Sequence, residues 1–247
     1  MGVDVGRKCD TSEVTIVKVT PQPQGPALKS IVNFYSKDGS IMREQAIWLK
    51  QIFFRYHCRT MVIDGNGLGI GLTDELVLGQ EDPETGEYLP PFGVEGGTYE
   101  NAGQEYKKYK TEDTVKDAMY IIKANAPINT EAHSYLRTQI SSGKIKFLIE
   151  ERDARIKLME TKVGQNLTPE ERNIRLMPYQ LTDNLKAQMG NLIEENEGTN
   201  IILKRNNRGI SKDRFSSLEY ALYYIKQEEG RRRKRHTRNI ADLMFMN

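Results

Sequence analysis

The stretch TMVIDGNGLGIG, residues 60–71, decides how the chain is read. Its first half is a short apolar run that ends on an acid, Asp64. Its second half carries a glycine at every other position from Gly65 to Gly71. A short apolar run closed by a turn signal reads as a buried strand. Ahead of it the period changes. Ile41, Gln45, Trp48, Ile52 and Tyr56 fall on one helical face with Leu49 and Phe53 beside them, so 41–57 reads as a helix. Towards the N-terminus, residues 1–5 form a short apolar run around Asp4 that stops at Gly6. VTIVKVT, 14–20, is β-branched and alternating, and 28–35 reads as a third strand before the turn pair Asp38-Gly39. Short links between these three predict an antiparallel meander. A following helix and the strand 60–64 then form the right-handed crossover of a parallel pair.

Towards the C-terminus, 73–78 reads as a short helix and 79–112, rich in Gly, Pro, Glu and Tyr, as a long excursion. Residues 119–123 predict a fifth strand, 129–142 a helix begun by Asn129, and 144–149 a strand or strand-like edge. Thr168-Pro169-Glu170-Glu171 combines an N-cap, a Pro at the first helical position and a Glu three residues after the cap, the pattern of a capping box. Pro178 is expected to interrupt that helix, with 181–195 continuing helical until Gly198. A short strand at 201–204, a basic loop and a helix beginning near Asp213 complete the chain, which shows no internal repeat.

Composition narrows the chemistry. The 247 residues are 38% hydrophobic and 28% charged, with a mean hydropathy of −0.62, as in soluble globular proteins. No apolar run approaches the length of a membrane span, and the N-terminus lacks the basic and apolar regions of a signal peptide. Cys9 and Cys58 have no CxxC spacing and predict free thiols in a reducing compartment. Three scattered histidines argue against a Cys/His zinc site, so any metal is a hard cation held by oxygens. The net charge of +2 is unevenly spread. RRRKRHTR, 231–238, holds six Lys/Arg and no acid; without it 30 cations face 34 acids, a net of −4. A second cluster, Lys204, Arg205, Arg208, Lys212 and Arg214, encloses a single acid, Asp213. Such local density is the electrostatic footprint of a polyanion partner, although a charge run is also what a solvated face looks like.

The element order β-β-β-α-β-α with a late helix predicts an α/β, ribonuclease H-like fold. It is a mixed sheet of three antiparallel strands plus parallel strands, flanked by helices. In that layout the first and fourth strands are neighbours, which sets Asp4 beside Asp64 at the strand ends where open α/β sheets build their sites. The late helix brings Asp213 to the same edge. Carboxylates this close repel unless a cation lies between them, and an all-oxygen set suits Mg²⁺ or Mn²⁺. Each acid has a structural alternative. Asp64 precedes Gly65, a frequent turn pair, and Asp213 suits a helix N-terminus. An unpaired acid inside an apolar strand, as at Asp4, is harder to explain structurally. Asp10 fits the turn to the second strand better than a metal, and His57 and His133 read as ordinary helical residues. GNGLGIG forms no G-x-G-x-x-G, and no G-x-x-x-x-G-K-[ST] occurs, so its glycines are read as letting the backbone turn sharply beside Asp64.

Val3-Asp4-Val5-Gly6, Val62-Ile63-Asp64-Gly65-Asn66-Gly67-Leu68-Gly69, Lys212-Asp213-Arg214-Phe215-Ser216-Ser217 and Tyr220-Ala221-Leu222 resemble the nuclease domain of tailed-bacteriophage terminase large subunits. Leu176 to Asn191, LMPYQLTDNLKAQMGN, resembles the helical segment before that family's final strand. The resemblance spans about 3–228. It implies one nuclease domain over 1–228, with an insertion of its own at 79–117, followed by a basic C-terminal tail at 229–247. It also implies a metal-dependent endonuclease that cuts concatemeric double-stranded viral DNA during packaging, in the host cytoplasm. The family's catalytic, metal-binding triad carries over onto Asp4, Asp64 and Asp213. Two Mg²⁺ or Mn²⁺ ions ~3.5–4 Å apart are implied, one generating the nucleophile and the other stabilising the departing 3′ oxygen. Lys204, Arg205, Arg208, Lys212 and Arg214 are the expected DNA contacts. The family's N-terminal packaging ATPase is not recognisable here, which suggests an excised domain. The portal and the small terminase subunit are further expected partners, and a membrane is not. The rival expectations are another ribonuclease H-like nuclease of resolvase or transposase type, or a non-catalytic DNA-binding or capsid-docking module.

Overall fold

The computed structural model describes residues 1–6, 11–23, 25–38 and 40–244, with side chains described through Arg233 in the final helix. In chain order the elements are β1 (Gly2–Asp4), β2 (Thr11–Thr20), β3 (Leu28–Asp38), α1 (Met42–Arg55), β4 (Met61–Asp64), α2 (Leu68–Leu76), β5 (Gln80–Glu81), β6 (Tyr88–Leu89), β7 (Phe92–Gly97) and α3 (Ala102–Glu105). A 3₁₀ turn at Lys107–Tyr109 leads to β8 (Val115–Ile122), α4 (Ala126–Ser141), β9 (Ile145–Lys146), α5 (Glu151–Met159), α6 (Lys162–Gln165), α7 (Pro169–Gly190), β10 (Leu192–Glu197), β11 (Asn200–Arg205) and α8 (Asp213–Met244).

Seven of these strands form one mixed sheet in the order β7-β8-β4-β1-β2-β3-β9. The meander β1-β2-β3 is antiparallel, while β1, β4, β8 and β7 run parallel. This is the ribonuclease H-like mixed sheet that the element order predicts. Both faces are covered, so β4 has no solvent-facing residues to alternate with its core residues. Met61 and Ile63 pack with Leu49, Phe53 and Leu72 on the α1–α2 side. Val62 joins Tyr120, Tyr223 and Tyr224 on the α4–α8 side. A further cluster of Ile31, Phe34, Leu136, Leu185, Phe215, Leu218 and Leu222 closes the other half of that face.

Helix α8 lies directly on β1 because both backbones are stripped to small residues at the crossing. A Cβ on Gly2 would stand 1.9 Å from the Ser217 carbonyl oxygen and 3.0 Å from the Ala221 Cβ. The Thr15 and Ser217 hydroxyls share a hydrogen bond of 2.6 Å across the same contact. This approach places the first turn of α8 over the end of β1. Gly2→Ala is therefore expected to lower stability by about 1–3 kcal/mol, the usual cost of overpacking, measurable by thermal melting; an unchanged melting temperature would show that the crossing has slack.

Several expectations need correcting. The 79–112 excursion contains β7, which extends the main sheet beside β8, and a small β5–β6 hairpin. The short helix expected at 73–78 begins five residues earlier, at Leu68. The helix expected to start at Asn129 is capped four residues earlier, where the Asn125 side chain accepts the Ile128 N–H at 3.0 Å. The Thr168 capping box forms as expected, but α7 runs through Pro178 to Gly190. Proline removes only one backbone donor there, and the flanking turns keep theirs. Residues 192–195, expected as the end of the 181–195 helix, belong instead to β10, which pairs with β11 alone and turns at Gly198 with φ of 61°. The hairpin's base is tied by Asn191, whose amide donates to the Asn207 carbonyl at 2.9 Å and accepts the Asn207 N–H at 2.7 Å. The boundary expected at 228/229 falls within α8, whose backbone is helical to Met244. Glu229 anchors it, accepting from the Lys29 Nζ at 2.8 Å, the Tyr135 hydroxyl at 2.8 Å and the Ala27 N–H at 3.0 Å. Asp10 and Cys9 lie outside the described residues; Cys58 is a free thiol. No helix among the described residues is long and apolar enough to cross a membrane.

Candidate active site

Three separate elements deliver the acids. Gly2 and Val3 of β1 pair in parallel register with Val62 and Ile63 of β4, and Asp4 and Asp64 are the next residues on the two strands. Asp213 is the first residue of α8, which packs across β1 and β4. Their fields overlap. The Asp4 carboxyl is pushed up to about 7, first by burial and then by the negative charges of Asp213 and Asp64, with Lys212 pulling the other way. Burial also raises Asp64, opposed by its hydrogen bonds. The Asn66 N–H donates to its Oδ1 at 3.0 Å, and the Tyr220 hydroxyl donates to its Oδ2 at 3.2 Å. The glycines after Asp64 are explained by space: a Cβ on Gly69 would fall 1.5 Å from the Asp64 carbonyl oxygen, and Gly67 has φ of 53°. They serve the turn that presents Asp64.

The five expected cationic contacts separate into two groups. Lys204, Arg205, Arg208 and Lys212 are exposed, and Lys204 pairs with Glu195 at 2.5 Å. Arg214 does not fit its expected role on DNA. It is 5% exposed, and its Nη2 donates to Glu13 Oε1 at 2.7 Å and to Ser36 Oγ at 3.0 Å, while Ser36 Oγ donates to Glu13 Oε2 at 2.8 Å. Helix geometry explains this. Arg214 follows Asp213 by about 100° of rotation, so with the acid at the sheet edge the guanidinium turns inward over β2.

Sequence reasoning passed over Glu13, and quoted Tyr220 in a block of the resemblance without giving it a role. Glu13 is directly opposite Asp4 in the β1–β2 ladder, 5% exposed, and raised by burial against the pull of Arg214. Its signal was a lone acid in the β-branched run TSEVTIVKVT. Tyr220 sits two turns along α8 from Asp213, and burial and the charges of Asp4 and Asp64 push its hydroxyl up. His133 is more than an ordinary helical residue, since it bridges Glu194 at 2.7 Å and Glu219 at 3.3 Å and ties β10 to α4 and α8.

The donors available to a metal are the oxygens of Asp4, Asp64 and Asp213. Among the described residues no group of three or more His, Cys, Asp or Glu side chains is arranged to hold a metal ion. The donor chemistry nonetheless fits a hard divalent cation. Burial first, and then the charges of Asp213 and Asp64, raise the Asp4 carboxyl against the pull of Lys212, and a divalent ion among such carboxylates would favour their charged forms.

No protein-family model matches the chain, and no curated protein matches it. Among solved structures, the chain is similar to the large terminase nuclease from thermophilic phage G20c with bound magnesium, at 14% identity and a TM-score of 0.46 over 90% of this chain and 78% of that one. A second structure of the G20c large terminase nuclease is 13% identical, with a TM-score of 0.43 over 89% of this chain and 78% of that one.

Proposed function

We propose that the chain is a divalent-metal-dependent endonuclease acting on double-stranded DNA, of the kind that cuts concatemeric viral genomes during packaging. The observation that carries this is the shared field of Asp4, Asp64 and Asp213 at the C-terminal edge of the parallel strands. Three elements far apart in sequence contribute carboxylates whose mutual repulsion adds to burial at Asp4, a cost that a purely structural site has no reason to bear. The quoted sequence blocks that resemble terminase nucleases coincide with these three positions.

In this proposal Asp4, Asp64 and Asp213 hold Mg²⁺ or Mn²⁺, as one ion or two. Such ions supply Lewis acidity and an activated water near neutral pH. The chain's own residues do the rest. Lys212 meets the scissile phosphate or its neighbour. Arg208, Arg205 and Lys204 follow the backbone, which makes binding steeply salt-dependent. The buried Arg214–Glu13 pair fixes the first turn of α8, and Tyr220 orients Asp64. Coupling to a packaging ATPase, the portal and the small terminase subunit belongs to the same proposal.

Nicking of supercoiled plasmid tests it. Cutting is expected with Mn²⁺, lost in EDTA, and lost in Asp4→Ala, Asp64→Ala and Asp213→Ala, with DNA binding largely retained. Cutting that survives all three substitutions, or DNA binding without cutting in any divalent metal, rejects the proposal. Tyr220→Phe is expected to weaken Mn²⁺ binding by about 10–100-fold, the usual cost of losing a hydrogen bond that orients a ligand. Calorimetric titration reads this directly, and an affinity within error of wild type would remove Tyr220 from the site.

A further inference from the structure

At the opposite end of the sheet from the acids, a cavity of about 810 Å³ opens between the turn end of the β2–β3 hairpin, the 56–60 link from α1 to β4, and the second half of α8. Its volume lies in the range of pockets that take a small ligand or a few anchoring side chains. Its wall is apolar, formed by Val17, Val19, Val32, Tyr56 and Ile225, with Val19 and Val32 each 38% exposed. The rim is cationic, with Lys18, Arg59 and Arg232. Two carboxylates also line the cavity, but both are engaged. Glu229 takes the three hydrogen bonds from Lys29, Tyr135 and Ala27. Glu228 accepts from Arg231 Nη1 at 2.7 Å and stands 3.9 Å from Arg59. The charge that remains to attract a partner is positive.

We propose that this cavity docks an acidic segment of a partner protein, which lays an apolar side chain on the Val19–Val32 wall while its carboxylates meet Arg59 and Arg232. An apolar wall combined with a charged rim is the anatomy of a peptide anchor site. Duplex DNA satisfies only half of it, because the outside of a duplex is phosphate and offers nothing apolar to fill the cavity. The assignment is independent of the metal site and is tested in EDTA.

The probe is a short fluorescein-labelled peptide alternating Asp and Glu with Leu and Phe, followed by fluorescence anisotropy. Saturable binding is expected, weakened by about tenfold or more in Arg232→Glu and in Val32→Glu. Both positions are surface-exposed, so melting temperature should not change, and Asp4→Ala should bind as wild type does. Four results would overturn the proposal. The first is no saturable binding. The second is equal binding of a control peptide with Ser in place of Leu and Phe. The third is competition by a DNA duplex whose own binding is lost in the same two variants. The fourth is self-association, seen by sedimentation, that Val32→Glu abolishes.

Discussion

Asp4→Asn is expected to abolish metal-dependent nicking and, in the same protein, to raise the metal-free stability at alkaline pH. The activity loss should be on the order of 10³-fold or more, the scale seen when one member of a catalytic constellation is removed. The stability gain follows from linkage. The folded protein holds the Asp4 proton up to about 7, against an ordinary aspartate value of 3.8. A group with a raised folded value contributes stability that is full below about pH 4 and is lost as pH rises through about 7. At ~1.36 kcal/mol per unit the loss is at most about 4 kcal/mol, and the partial exposure of Asp4 reduces it by solvent screening. Asn cannot ionise, so its stability should be flatter over that window. Denaturant melts in EDTA at about pH 5 and about pH 8 measure the slope. A slope equal in the two proteins would mean that Asp4 does not carry the proton. Mn²⁺ should restore the alkaline stability of the wild type and do nothing for Asp4→Asn.

Arg214→Met is expected to destabilise the fold by about 3–5 kcal/mol, because it strands Glu13 as a buried charge without its partner. The guanidinium closes a triangle with Glu13 and Ser36 under the first turn of α8, so the same change should loosen Asp213. Arg208→Met, at an exposed position of the same sequence cluster, should shift stability by no more than about 0.5 kcal/mol while weakening DNA binding. Adding Glu13→Gln to Arg214→Met should recover much of the loss, since removing both partners of a buried pair is milder than removing one. The double-mutant cycle from denaturant melts gives the coupling. A coupling near zero, or equal stability of Arg214→Met and Arg208→Met, would show that the buried pair does not hold the helix.

How much was legible in advance depended on how local the determinant was. The strand at 61–64 and helix α1 announce themselves by period, and the Thr168 capping box by spacing; each is decided within one turn or one strand. β7 was not legible, because FGVEGG carries no alternation and becomes a strand only by finding β8 beside it. β10 was read as helix since LIEENE is rich in helix formers, yet pairing with β11 outweighs that propensity. At the site, element order alone predicts that the three acids share one edge; Asp4 and Asp64 end neighbouring strands and Asp213 opens α8. Arg214 was misjudged because sequence shows charge but not the direction of a side chain, and one residue of helical rotation separates the site from the core. Glu13 was missed for the converse reason: its importance lies in two partners, Asp4 and Arg214, that only the folded sheet and helix bring to it.

Anomalous diffraction from a crystal soaked in Mn²⁺ asks most directly whether these carboxylates form a metal site. Manganese peaks ligated by Asp4, Asp64 and Asp213, absent from an Asp4→Asn crystal, are the predicted result. A saturating soak that leaves those three side chains unliganded, in a protein that still nicks DNA with Mn²⁺, would contradict it.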